Sequence, residues 1–271
     1  MKVVVNGASG YIGRSLVPFL RRRGDSVVVL GRADYANPDA VIAGADAMVH
    51  LAAIAHTPAG SSLPYSDYDR VNHRLPIEML EACGRSGVGK FIFMSSVSAS
   101  HRPDTSYGKS KALAEQALLA MDGPELTILR PVLVYGQDAP GNFGALLRLC
   151  ALPIPLPFGS ASNRRSMVYL DNLLNAVEFA LRNRLGSDPF VVTDDEALSV
   201  AEIVGCIRAG MGRSASLFRA TWLPPLLRLA GRKGMEEQLF GELLFEADRL
   251  QEQGWHPPFA VRQGLELAAA R

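Results

Sequence analysis

The 271-residue chain is poor in cysteine, poor in excess charge and without long apolar runs. Its three cysteines, Cys83, Cys150 and Cys206, are odd in number and show no Cys-x-x-Cys spacing. That argues against a disulfide framework and a cysteine zinc site, and it fits a reducing cytoplasm. Twenty-eight Lys+Arg face 27 Asp+Glu, a formal charge of +1, so nothing global points to nucleic acid. No stretch offers the ~18 uninterrupted apolar residues of a membrane span. The opening "MKVVVNGASG" is too short in its apolar run for a signal peptide. The nearest apolar candidate, "ATWLPPLLRLAG" over 220–231, carries two prolines and an arginine. It reads as a buried helix of a small lobe in preference to a membrane-surface segment. His50, His56, His73 and His101 show no metal spacing, so no metal is expected. Internal repeats and low-complexity linkers are also missing.

What the chain does have is 48% hydrophobic and 20% charged residues, enough for a large α/β domain with a smaller lobe. Apolar, β-branched runs at 2–5, 26–30, 45–53, 90–96, 126–136 and 189–194 read as strands. Helix-like periodicity covers 11–24, 67–86 and 106–122. Strands that are continuous apolar runs and alternate with helices imply a doubly wound parallel sheet covered on both faces. After Gly136 prolines and glycines multiply, and the remainder is mainly helical. The expected organisation is a nucleotide-binding domain over 1–137 and 166–194, with a discontinuous substrate lobe over 138–165 and 195–271.

Gly7, Gly10 and Gly13 in "NGASGYIG" follow the first strand and open the first helix. In a Rossmann-type domain the first glycine permits the tight turn, the second lets backbone approach a pyrophosphate, and the third packs helix against sheet. The loop residues Tyr11, Ile12 and Arg14 join this candidate cofactor site. At the end of the second strand, where an acidic residue usually reads the ribose of NAD, the sequence is "GRAD". Arg32, shared with Arg14, suits a 2′-phosphate, which favours NADP(H) and leaves NAD(H) possible. Asp34 is the counterweight if its loop curls back to the ribose. Asp46, ahead of the third strand, is expected to accept a hydrogen bond from the adenine amine, and Leu51, Ala52 and Ala53 to line the cofactor after it.

Tyr107 stands one helical turn before Lys111 in "SYGKSK". A free phenol ionises near pH ~10 and is a poor proton carrier at neutrality. A cation held beside it favours the phenolate and brings it nearer to the working pH. Alone, the pair is equally a tyrosine and a lysine on a solvated helix.

The ordered set "GASGYIG", "ADAMVHLAA", "FIFMSSVS", "YGKSK", "LRPVLVYG" and "RRSMVYLDN" resembles the extended short-chain dehydrogenase/reductases, within the NAD-dependent epimerase/dehydratase group, over about 1–182. The resemblance implies a catalytic Ser96, with Ser95 the alternate, beside Tyr107 and Lys111. Lys111 then also binds the nicotinamide ribose. It implies a nucleotide-sugar substrate, with Arg165 (Arg164 the fallback) on the diphosphate and Asn142 on the nucleotide. It further implies a homodimer paired through the helices over 67–86 and 106–122. The favoured activity is reduction of a 4-keto nucleotide sugar in polysaccharide synthesis. The alternatives are a 4-epimerase with tightly held NAD, a non-catalytic dinucleotide sensor, and an enzyme of lipid-linked sugars. Against the resemblance, the chain is short for a sugar epimerase, and "LRPVLVYG" lacks the asparagine that many of them carry after the arginine.

Overall fold

In the computed structural model, the valines of the first strand, β1 (Lys2–Asn6), are all fully buried. The structure describes residues 1–55, 63–222, 225–226, 229, 241–246 and 248–270. The strands that follow are β2 (Ser26–Leu30), β3 (Ala47–His50), β4 (Lys90–Met94) and β5 (Glu125–Pro131). Then come β6 (Leu133–Tyr135), β7 (Arg164–Arg165), β8 (Met167–Tyr169), β9 (Phe190–Val192) and β10 (Leu198–Ser199). Six of these form one parallel sheet in the order β2-β1-β3-β4-β5-β9. A parallel sheet buried on both faces needs apolar residues on both, which is why the strands read as unbroken apolar runs. The order reverses direction at β1, whose register pairs Asn6 with His50. Gly7 and Leu51 therefore leave the sheet side by side, at the switch point where such folds bind ligands.

The helices are α1 (Gly13–Arg22), α2 (Asp39–Ile42), α3 (Tyr65–Tyr68), α4 (Leu75–Arg85), α5 (Ser98–His101) and α6 (Ser106–Leu119). Further along lie α7 (Gly141–Cys150), α8 (Leu170–Arg182), α9 (Val200–Gly210), α10 (Asp248–Glu252) and α11 (Val261–Ala269). A wide π-type turn over Asp69–Arg74 joins α3 to α4, so the expected helix over 67–86 is one run with a widened middle. Val4, Met48, Phe91, Phe93 and Ile128 of the sheet pack with Met79 and Leu80 of α4 and Ala114 and Leu118 of α6. This core fixes α6 over the sheet.

The chain divides into two compact units. The first is Met1–Pro131, Leu174–Val192 and Asp248–Trp255; the second is Val132–Leu173, Thr193–Ala247 and His256–Arg271. Residues 132–137 and 166–173, expected with the nucleotide-binding domain, lie in the second unit, and 248–255 lie in the first. The expected strand over 126–136 is two strands, because β6 leaves the large sheet to pair with β8. Pro131 ends the ladder at that point, having no N–H to donate. Inside the second unit, buried Tyr135 donates to Asp194 at 2.7 Å, and Asp194 also accepts from Asn172 and the Tyr169 N–H. Burial raises the Asp194 carboxyl to about 6. Of the apolar stretch 220–231, residues 223–224, 227–228 and 230–231 lie outside the described residues, as does His56. Among the described residues no helix is long and apolar enough to cross a membrane, and no group of three His, Cys, Asp or Glu is placed to hold a metal ion.

Candidate active site

Asn6 ends β1 and organises the switch point. Its Oδ1 accepts from the Leu51 and Ala52 N–H groups at 2.9 and 3.2 Å, and its Nδ2 donates to His50 Nδ1 at 2.9 Å. The loop carrying Leu51, Ala52 and Ala53 is thus pinned beside Gly7. Gly7 has φ +67°, and a Cβ there would lie 2.6 Å from the Ala52 nitrogen, so no other residue fits. A Cβ on Gly13 would meet the Gly7 oxygen at 2.3 Å, which seats the start of α1 against the turn. No side chain caps α1, and its first turn holds no acidic residue. Uncapped N–H groups behind a glycine turn fit the pyrophosphate of a dinucleotide. The Arg14 guanidinium stacks over the Tyr11 ring, 5.6 Å from its centroid.

At the exit of β2, residues Arg32–Asp34 form a single tight turn. The Asp34 carboxylate curls back and accepts from the Gly31 N–H at 2.9 Å, while Arg32 stays exposed. Tyr35 reaches back to a backbone hydrogen bond at Gly7; burial raises its pKa, and the Arg32 charge partly offsets this. Asp46 does not belong to this site. It sits before β3, accepts from the Lys2 N–H at 2.7 Å, and so lies at the N-terminal edge of the sheet. The glycine loop is at the C-terminal edge, a strand of four residues and roughly 13 Å away. The expected adenine contact from Asp46 is therefore excluded.

Ser96 follows β4, and Tyr107 opens α6 behind the Thr105 cap, whose hydroxyl accepts from the Gly108 N–H at 3.0 Å. Gly108 is obligatory, since a Cβ there would meet the Arg102 oxygen at 2.0 Å. The packing of α6 against α5 that this permits sets Tyr107 near Ser96, whose hydroxyl favours the phenolate. Lys111 is 1% exposed, donates to the Met94 carbonyl at 2.7 Å and lies 4.5 Å from the Phe93 ring centroid. Burial lowers the Lys111 pKa to about 7, opposed by the Glu115 carboxylate. The tyrosine departs from expectation: burial raises the Tyr107 pKa and outweighs the lowering from Ser96. Desolvation disfavours the phenolate more than its neighbours favour it.

Ser95 and Ser96 face different partners. Ser95 is buried and donates to Glu115, which is clamped in turn by Arg130, with Nε at 2.9 Å from Oε1. Of the two serines, Ser96 is the one that acts on the Tyr107 phenol. Buried Asn72, on the widened turn, accepts from the Ile54 N–H at 2.7 Å and donates to the Ser110 hydroxyl at 3.0 Å, tying that turn to α6. Within the second unit, exposed Asn142 stands in the first turn of α7. Arg165 donates to the Gly241 carbonyl at 2.9 Å, and Arg164 to the Ala197 carbonyl at 2.7 Å.

Asn6, Asn72, Glu115 and Tyr35 escaped the sequence reading. Glu115 had a signal, being one turn beyond Lys111 on the same helix face. Asn72 and Tyr35 had none, because their partners are 38 and 28 residues away in sequence.

A model of the NAD dependent epimerase/dehydratase family matches residues 3–192. The UDP-glucose 4-epimerase of Vibrio cholerae is 28% identical over 314 aligned residues, covering 98% of this chain and 94% of its own. The UDP-2-acetamido-2,6-beta-L-arabino-hexul-4-ose reductase of Pseudomonas aeruginosa is 27% identical over 199 residues, 69% of this chain and 51% of its own. Among solved structures, a UDP-N-acetylglucosamine 4-epimerase from Bacillus cereus superposes with a TM-score of 0.78 at 18% identity, covering 99% of this chain and 98% of its own.

Proposed function

The chain belongs to the NAD dependent epimerase/dehydratase family, enzymes of the extended short-chain dehydrogenase/reductase type, and from that premise we propose that it reduces the 4-keto group of a nucleotide sugar. The observation that carries the reading is Tyr107 set near Ser96, with Lys111 buried one helical turn further along α6. A nicotinamide dinucleotide, when bound, would supply the hydride that reduces the carbonyl carbon. Ser96 donates a hydrogen bond to the carbonyl oxygen, and Tyr107 transfers its proton to that oxygen as negative charge builds there. Lys111 holds the nicotinamide ribose and stabilises the phenolate left behind. Gly7, Gly10, Gly13 and the loop Leu51–Ala53 hold the dinucleotide. Asn142 and Arg165 of the second unit bind the nucleotide and diphosphate of the substrate.

A phenol protonated at neutral pH can deliver its proton to the carbonyl oxygen in the reductive direction. An epimerase first needs the same group as a base. The second reading, a 4-epimerase with retained NAD, is favoured by the position of Asp34 at the β2 exit and by the full-length Vibrio cholerae relative.

Purified protein separates the two. Incubation with UDP-4-keto sugars and NADPH or NADH, followed by mass spectrometry, is expected to show consumption of reduced cofactor and a gain of two hydrogens. Retained NAD, with interconversion of UDP-sugars and no added cofactor, would replace reduction by epimerisation.

A further inference from the structure

The second unit carries an apolar surface that catalysis does not use. Arg208 on α9 is 3% exposed, and its guanidinium donates to four carbonyls: Ala215 at 2.7 Å, Ser216 at 3.3 Å, Ile154 at 2.6 Å and Leu152 at 3.1 Å. It ties the segment 152–156 to the segment 215–218, which also exchange backbone hydrogen bonds, Leu156 N–H to Ser216 O and Phe218 N–H to Leu156 O, both 3.0 Å. At their junction Leu156 is buried, but Leu152, Ile154 and Phe218 stand exposed, and further along the chain so do Trp222 (56%), Leu226 and Leu229 (88%). The described residues of the stretch expected to be a buried helix are thus exposed, apart from Ala220.

Charge identifies the occupant. From residue 203 to residue 235 the sequence has six basic residues and no acidic one, in a chain that is otherwise balanced. Arg213 and Arg219 of that set are exposed. Exposed apolar side chains including a tryptophan, in a stretch where Arg213 and Arg219 are the exposed charges among the described residues, match the boundary of an anionic bilayer, where indole rings settle and cations meet headgroups. A second protein copy would bring the same positive charge to the contact and be repelled. We propose that this surface, built on Leu152, Ile154, Phe218, Trp222, Leu226 and Leu229, docks the enzyme reversibly on anionic membranes.

The full chain is tested by co-sedimentation with phosphatidylglycerol-containing vesicles and with pure phosphatidylcholine vesicles, at low and at physiological salt. Binding to the anionic vesicles alone, weakened by salt, is expected. Trp255 is 2% exposed, so a blue shift in tryptophan emission on binding reports Trp222. The pair Trp222→Ser with Leu229→Ser should abolish binding, and Arg213→Ser with Arg219→Ser should weaken it by roughly tenfold or more. Unchanged circular dichroism shows that these surface variants remain folded. Absence of binding to anionic vesicles at low salt overturns the proposal, as does undiminished binding of the first pair. Self-association that Trp222→Ser removes, without vesicle binding, assigns the surface to a second copy and overturns it too.

Discussion

At the scale of single residues, burial decides the chemistry. Burial raises the Tyr107 pKa despite the opposing effect of Ser96, and it lowers to about 7 the pKa of Lys111, a residue of α6 whose ammonium is buried against Met94 of β4. Tyr107→Phe should therefore lower turnover by at least ~10²-fold while the dinucleotide still binds, since only the transferable proton is removed. Single-turnover kinetics beside a cofactor titration checks this, and near-normal turnover would take the role of acid from Tyr107. His50 gives a stability counterpart. Its ring is fully buried, held by Asn6 at Nδ1, and burial followed by the Lys111 charge lowers its pKa from 6.5 to about 3. Between those values the unfolded chain takes up a proton that the folded chain refuses. Stability from this site is complete above pH 6.5 and is lost as pH falls toward 3. Thermal unfolding between pH 6.5 and 4 should show a shallower decline in His50→Gln than in the parent protein. An identical slope would place the acid sensitivity in other groups. Neither behaviour was legible in sequence, because "MVHLAA" shows a histidine in a strand but not the asparagine and lysine that surround it.

At the scale of elements, the strands and the glycine turn were readable because each rests on local pattern: continuous apolar runs for a doubly covered sheet, and glycines where a side chain would collide. The failures share a cause. Asp46 fails because it precedes β3 and pairs with the Lys2 N–H at the N-terminal edge, whereas a doubly wound sheet binds its ligand at the carboxyl ends of the strands. The strand over 126–136 breaks because β6 has a better partner in β8, 34 residues downstream at Leu133↔Met167. The turn after β2 matters most for cofactor choice. It sets exposed Arg32, which attracts a 2′-phosphate, beside Asp34, whose carboxylate lies on the Gly31 N–H and repels one. The two oppose each other in one short turn, so NADPH should bind more tightly than NADH by less than about tenfold, a margin of one charge pair in partial solvent. Arg32→Ala should abolish that margin and Asp34→Asn should widen it, with NADH affinity falling in the latter. Fluorescence titration of both cofactors against the three proteins measures it, and a preference unmoved by either substitution would remove the turn from cofactor recognition.

At the scale of the whole molecule, the chain divides into two units whose boundaries differ from those of the expected nucleotide-binding domain and substrate lobe. Each crossing of the chain follows tertiary pairing, as when 248–255 returns to the first unit and Trp255 donates to Asn175 at 3.0 Å. Assembly is the remaining question at this scale. Helices α4 and α6 pack their inner faces on the sheet through Met79, Leu80, Ala114 and Leu118, leaving an outer stripe to solvent. On α6 that stripe includes half-buried Ala112 and Leu113, exposed Gln116, and Leu119 at 45% exposure. Small residues beside leucines let two helices approach closely, and the same pair from a second copy would complete a four-helix contact with an apolar centre. A homodimer at micromolar concentration is the expected state. Leu113→Arg with Leu119→Arg would place four like charges in that centre, two from each copy, and should yield a monomer with unchanged circular dichroism. Sedimentation velocity decides it: a parent protein that sediments as a monomer, or a variant that stays dimeric, would show that these helices do not form the interface.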